Sequence, residues 1–87
     1  MSNTRSRCNA QLALVRLAAR RIDDQRARHE VEQARFAVFA ALESEDDQAV
    51  RLWCRTLRVA AQSIPDWAGP EVIEAISEIE LEVTGSA

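Results

Sequence analysis

The sequence predicts an all-α protein: a long antiparallel helical hairpin plus a shorter third helix, forming a small helical bundle that is expected to dimerise. The 87 residues contain only two Gly and two Pro, and good helix formers such as Ala, Leu, Arg and Glu dominate the rest. No segment alternates Val, Ile, Thr or Tyr with polar residues, as a half-buried strand would. A chain of this length has room for one domain, so residues 1–87 are expected to form one helical unit.

The first helix is predicted over residues 9–42, with Asn9 as its N-cap, because no Gly or Pro occurs before Pro65. Its two halves carry apolar stripes at helical spacing. The first stripe is Leu12, Val15, Ala19 and Ile22, and the second is Ala27, Val31, Ala34, Val38 and Ala41. The second stripe is displaced around the helix from the first, so the two halves are expected to face different neighbours.

The charged segment "ARRIDDQRARHE", residues 19–30, lies between the two stripes. Opposite charges four residues apart are neighbours on a helix surface. The predicted pairs are Arg20–Asp24, Asp24–Arg28, Arg26–Glu30 and Arg28–Glu32. This pattern favours the solvated, self-neutralising middle of one long helix, and a break near Asp23 and Asp24 is the alternative.

The second helix is predicted over residues 45–63, with Ser44 as N-cap and three acidic residues in its first turn, where the helix dipole favours them. Its apolar stripe is the clearest in the chain. The stripe consists of Val50, Trp53, Cys54, Leu57, Ala60, Ala61 and Ile64. A connection of two or three residues predicts that the first two helices form a hairpin.

The third helix is predicted over residues 70–83, because Pro65 and Gly69 stop the second helix and Pro70 suits a first helical position. Its predicted buried residues are Val72, Ile76, Ile79 and Val83, helped by Ile73.

Helix lengths predict an interface. At 1.5 Å per residue, the first helix would be roughly 50 Å long and the second roughly 29 Å, which covers only its second half. The stripe of Leu12, Val15, Ala19 and Ile22 then needs a cover. We expect a second copy or another protein to supply it, unless the third helix turns back over it.

Charge divides the chain into two halves. Residues 1–42 carry eight Arg and four acids (+4), and residues 43–87 carry three Arg and ten acids (−7), which together give the net −3. Two charged docking strips are predicted, one basic on the second helix and one acidic on the third. They are Arg51, Arg55 and Arg58, and Glu71, Glu74, Glu78 and Glu82.

Few residues suit catalysis or ligand binding. The chain has one His, no Tyr and no Gly-rich phosphate loop. His29 is expected to be a solvated surface residue, and an exposed row of Glu offers no cleft that would separate the pKa values of two carboxylates. We therefore expect no enzyme activity, no cofactor, no metal and no small-molecule substrate.

Cellular context follows from three features. Cys8 and Cys54 are not spaced as a metal or redox motif, which favours a reducing, cytoplasmic compartment. No uncharged stretch is long enough to span a bilayer. All eleven basic residues are Arg, as expected of a GC-rich bacterial genome or of a mobile element within one.

The sequence predicts a non-catalytic protein-binding module: a small bacterial or phage-type regulator or inhibitor, whose acidic face occupies a basic site on its target. An alternative is a nucleic-acid-binding protein that uses the Arg-rich N-terminal segment, which lacks interleaved aromatic residues for stacking on bases. The third hypothesis is a structural or assembly-chaperone dimer.

Overall fold

A computed structural model describes residues 3–64 and 70–84 of the chain. These residues form four α-helices: α1 (Asn3–Ala19), α2 (Gln25–Glu43), α3 (Asp47–Gln62) and α4 (Pro70–Thr84). Within these two ranges there is no strand. The protein is therefore all-helical, as the composition predicts.

The four helices form a small bundle in which each packs against two others. Helix α1 packs against α2 and α4, and α3 packs against the same two helices. In the described part of the chain, no Cα atom of α1 lies within 8 Å of one in α3, and the same holds for α2 and α4. The helices therefore follow one another around the bundle in chain order, and the first closes against the fourth.

The predicted first helix is divided in two. The N–H groups of Arg20, Arg21 and Ile22 donate to the carbonyls three residues earlier, at 3.3, 3.0 and 3.1 Å, so the end of α1 tightens. Asp24 then begins α2 as its N-cap, and its carboxylate accepts from the N–H of Arg26 at 3.0 Å. Asp suits a cap better than a helix interior. The expectation of one continuous helix is corrected here, and the break is the alternative that the structure shows.

Two helix starts also differ from the sequence prediction. Helix α1 begins at Asn3, so Asn9 lies inside a helix and does not cap one. Helix α3 is capped by Asp46, whose carboxylate accepts from the N–H of Ala49 at 3.1 Å, and only Asp47 remains as an acid in its first turn. The predicted cap, Ser44, instead ends α2.

The bundle core is entirely aliphatic apart from two thiols. The buried side chains of α4 include the four that its spacing predicts, Val72, Ile76, Ile79 and Val83. The largest fully buried side chains elsewhere are Leu57, Val15, Val31, Val38, Val50, Cys8 and Cys54. No aromatic side chain of residues 5–64 or 71–84 belongs to this core.

Candidate protein-binding surfaces

The apolar stripe of α1 is covered by the chain itself. Leu12 is 2% exposed, Val15 and Ala19 are 0% exposed, and Ile22 is 3% exposed. Helices α2 and α4 pack on α1 and supply the cover. Here the structure differs from the interface expected at this stripe, because the break after Ala19 and the return of α4 bury it within one chain.

Two ion pairs join α1 and the turn that follows it to α4. Arg7 Nη1 lies 3.4 Å from Glu82 Oε2, and Arg21 Nη2 lies 2.8 Å from Glu71 Oε1. The first pair joins the start of α1 to the end of α4, and the second joins the residues just after α1 to the start of α4. The two helices therefore run antiparallel, and their ends are tied by opposite charges.

The predicted basic strip is only partly available to a partner. Arg51 and Arg55 are exposed on α3. Arg58 is bound within the chain, since Nη2 donates to Glu80 Oε1 at 2.7 Å and to Ser77 Oγ at 2.8 Å, both on α4. One member of the strip thus holds α3 against α4.

The predicted acidic strip contains both paired and unpaired carboxylates. Glu71 and Glu82 are the partners of the α1 arginines. Glu74 and Glu78 are exposed and form no ion pair within the described residues. We call Glu71, Glu74 and Glu78 the acidic ridge. Leu81, 62% exposed, follows at the same helical spacing and extends the ridge with an apolar side chain.

A shallow groove lies between α1 and α4 beside the acidic ridge. It is lined by Leu14, Leu17, Ala18, Arg21, Glu71 and Val72. Leu14 and Leu17 are 53% and 59% exposed. This side of the bundle therefore combines exposed apolar side chains with carboxylates.

A second exposed surface contains the aromatic side chains of the described chain. Phe36 is 61% exposed, Phe39 36% and Trp53 39%, and the two Phe rings are 6.2 Å apart between centroids. We call these three residues the aromatic surface. A groove beside it is lined by His29, Glu32, Gln33, Phe36, Ala37 and Trp53.

Sequence reasoning did not find the aromatic surface. Trp53 follows the spacing of the α3 stripe, which predicts burial, yet Trp53 is exposed whereas Val50, Cys54, Leu57 and Ala61 are buried. The two Phe residues flank the α2 stripe without belonging to it. Their position beside the stripe could have indicated exposure, because a side chain next to an apolar stripe lies at the edge of the buried helix face.

The two cysteines are free and buried. Burial raises the pKa of the Cys8 thiol to about 11, with a further contribution from the charge of Glu82. Burial also raises the pKa of the Cys54 thiol to about 12, where Glu80 and Cys8 add to the effect and Arg58 opposes it. Both thiols are protonated at neutral pH and act as small apolar core residues.

Residues 3–64 and 70–84 bring together no group of three or more His, Cys, Asp or Glu side chains that could hold a metal ion. No helix in these ranges is long and apolar enough to cross a bilayer. His29 is exposed on α2 beside the aromatic surface.

Comparison with protein-family models, with curated proteins and with solved structures finds no match for this chain.

Proposed function

We propose that this protein is a non-catalytic protein-binding module, a small bacterial or phage-type regulator or inhibitor whose acidic ridge docks on a basic site of a larger protein. The observation that carries the proposal is the state of Glu74 and Glu78. Both are exposed and lack an ion pair among the described residues, on a helix without a single basic residue.

Glu74 and Glu78 differ from the glutamates on either side of them. Glu71 and Glu82 on either side are already held by Arg21 and Arg7 of the same chain. The buried side chains Val72, Ile76, Ile79 and Val83 hold α4 in place, so Glu74 and Glu78 project from a fixed helix. A fixed row of like charges gives a complementary partner orientation and a fast association rate more than it gives affinity.

Apolar contacts beside the ridge provide the affinity that charge alone does not. Leu81 continues the ridge, and the exposed Leu14 and Leu17 line the groove between α1 and α4. A basic, amphipathic helix on the target suits this combination, because its apolar face fits a groove and its cations meet the carboxylates.

The nucleic-acid alternative has weaker support. Among the N-terminal arginines that could contact phosphates, Arg5, Arg7 and Arg21 are each paired with a glutamate. A phosphate would have to displace those carboxylates, and only Arg16 and Arg20 are exposed without such a partner within the described chain. We further propose action in the cytoplasm, which is supported by the two free thiols.

The test is affinity capture from a lysate of the source cells with three baits of full length. They are the wild type, Glu74→Gln/Glu78→Gln, and the control Glu30→Gln/Asp47→Asn, which removes two exposed charges from other helices. We expect at least one protein whose capture falls roughly fivefold to tenfold with the first variant and not with the second. That difference should shrink as salt is added.

Equal capture by the two variants would overturn the assignment of the acidic ridge. Capture of nucleic acid in place of protein, lost steeply with increasing salt, would favour the alternative.

A further inference from the structure

The connection between α1 and α2 and the connection between α2 and α3 differ in how a continuous helix would arrange their charges. Residues four apart are neighbours on a helix surface. Straightening the first connection would bring Arg20 beside Asp24, which carry opposite charges. Straightening the second would bring Glu43 beside Asp47, which carry like charges. Side-chain charge therefore favours a helical conformation between α1 and α2 and opposes one between α2 and α3.

The backbone between α1 and α2 has no feature that excludes a helix. Residues 20–24 include no Gly or Pro, and none of them has a positive φ. Asp24 has φ = −74°, which is near the helical value of about −63°. Its ψ is 116°, whereas the helical value is about −42°. One rotation, about ψ, therefore converts Asp24 from a helix cap to a helical residue.

We propose that the connection between α1 and α2 straightens when two copies of this chain meet, and that the copies exchange α1. Within one chain, α1 packs against α2 and α4. In the exchanged dimer, α1 packs against α2 and α4 of the other copy, in the place that the α1 of that copy has left. Because each copy gives one α1 and receives one, the contacts are equivalent and close about a two-fold axis.

The directions of the helices allow this exchange. Arg5 at the start of α1 lies 3.2 Å from Glu43 at the end of α2, between Nη1 and Oε1, so α1 and α2 run antiparallel. A straight helix over residues 3–43 would be roughly 60 Å long. Two such helices, lying antiparallel, place α1 of each copy beside α2 of the other. The antiparallel packing of α1 on α2 is thereby kept, with Arg5 of one copy beside Glu43 of the other.

Exchange gives the dimer a large interface without requiring a new binding surface. The buried side chains of α1 change from contacts within a chain to contacts between chains. They are Cys8, Leu12, Val15, Ala18 and Ala19, none more than 5% exposed. The ion pair of Arg7 with Glu82 also becomes a contact between copies. The dimer interface is therefore as complementary as the bundle core, and the connection and the protein concentration decide between monomer and dimer.

The cap of α2 favours the monomer. In the monomer the carboxylate of Asp24 accepts from the N–H of Arg26 at 3.0 Å. A continuous helix loses this cap but gains the Arg20–Asp24 neighbours and the backbone hydrogen bonds across the former break. Substitutions at the start of α2 are therefore expected to shift the balance between the two forms.

Refolding at two concentrations is the first test. The wild type is unfolded in denaturant with a reductant present, so that no disulfide forms, and is refolded at about 10 µM and at about 1 mM. Light scattering then gives the molar mass. We expect monomer in the dilute sample and a species of twice 9.7 kDa in the concentrated one. Monomer alone in both samples would overturn the proposal.

Gln25→Pro should prevent the dimer and leave the monomer folded. Gln25 is the first residue of α2, where Pro is favoured, and the extended ψ of Asp24 suits the residue before a Pro. Inside a continuous helix the same Pro would clash with the carbonyl of residue 21. Asp47→Pro is the matched control, since it places Pro at the first position of α3 and should leave dimerisation unchanged. Equal dimerisation of Gln25→Pro and the wild type would overturn the proposal, with circular dichroism reporting whether each variant is folded.

Asp24→Ala should shift the balance in the opposite direction. Two monomers lose a cap that the dimer does not use, so the dissociation constant should fall about tenfold to thirtyfold. Asp46→Ala is the control, because it removes the corresponding cap of α3, which monomer and dimer share. An equal fall in both variants would show that loss of a cap alone promotes association, and would overturn the assignment to this connection.

Amide hydrogen exchange distinguishes an exchanged dimer from two intact bundles in contact. In the monomer the N–H groups of residues 23–25 precede the helical hydrogen bonds of α2. In a continuous helix they donate to the carbonyls of residues 19–21. We expect these amides to exchange at least about tenfold more slowly in the dimer. A dimer in which they exchange as fast as in the monomer would overturn the proposal.

Discussion

The pair α2–α3 and the pair α1–α4 are held together by different means. Helices α2 and α3 are joined by residues 44–46 and have no ion pair between them in the described chain. Helices α1 and α4 lie far apart in the sequence, and two ion pairs join α1 and the turn after it to α4. The short loop already brings α2 and α3 together. Helices α1 and α4 are separated by most of the chain, so many other helix pairings are open to them, and opposite charges favour the native one.

This comparison gives the charge asymmetry of the chain a structural role. Arg5, Arg7 and Arg21 all belong to the basic half, and each contacts a glutamate of the acidic half. Part of the charge that suggested a charged partner is therefore neutralised by ion pairs within the molecule. The charges left over, above all Glu74 and Glu78, are the ones on which the proposed binding depends.

Alkaline pH should weaken both helix pairs through one buried thiol in each. The pKa of Cys8 on α1 is raised from 9.0 to about 11 and that of Cys54 on α3 from 9.0 to about 12. A pKa raised by folding means that the protonated thiol is favoured in the folded state. The stability that the buried thiol contributes is complete below pH 9 and is lost progressively as pH rises from 9 toward the folded-state pKa values. We expect each thiol to lower the free energy of unfolding by about 2 kcal/mol at pH 10.5.

Chemical denaturation between pH 8 and pH 10.5 measures this loss. The chain has no Lys and no Tyr, so few other side chains titrate in that interval. The control is Cys8→Ala/Cys54→Ala, which should be less stable at pH 8 but nearly independent of pH above it. An equally steep decline in the control would show that the thiols are not the cause.

Ion pairs in the bundle should differ in strength according to their exposure. Arg58 makes charge-assisted hydrogen bonds to Glu80 and its side chain is 29% exposed, whereas the Arg21 and Glu71 side chains are 60% and 68% exposed. A double-mutant cycle to Ala should give a coupling of about 1 kcal/mol for Arg58–Glu80 and at most about 0.3 kcal/mol for Arg21–Glu71. Equal coupling energies would mean that side-chain exposure does not determine the strength of these ion pairs.

One substitution in the loop between α2 and α3 should stabilise the protein. Glu45 has φ = 56°, the left-handed conformation that favours glycine. The N–H of Asp46 donates to Ala41 and that of Glu45 to Leu42, which is the Schellman arrangement at the end of α2. Glu45→Gly should raise the free energy of unfolding by about 0.5–1 kcal/mol. Glu45→Ala removes the same charge without relieving the backbone and should be near neutral in the same denaturation experiment.

Sequence patterns predicted the second half of the chain better than the first. In α4, spacing alone identifies Val72, Ile76, Ile79 and Val83, because a single helix with one apolar face has one way to face a core. In the first half, both stripes were recognised, but they were placed on one continuous helix, with the break only as the alternative. The break at residues 20–24 lets both stripes face one core.

Surface features were harder to predict than core positions. None of the four ion pairs expected within residues 20–32 forms. The break removes the helical spacing of Arg20–Asp24. The other three pairs keep that spacing without forming, and Glu32 pairs with Arg35 instead. Arg58 was predicted as part of a basic docking strip, but it contacts Glu80, and that contact depends on how α4 packs. Contacts between helices depend on how the helices pack, and the spacing of residues along the sequence does not give that packing.

The closure of the bundle by α1 and α4 has a consequence for synthesis on the ribosome. Of the four helices α1 is made first, and the cover over its apolar side chains Leu12 and Val15, which α2 and α4 supply together, stays incomplete until α4 has been made. During that interval the nascent chain exposes the stripe that the finished protein hides. A chain that stalls or is cut in the segment before α4 keeps it exposed, and such fragments are expected substrates for chaperones and proteases.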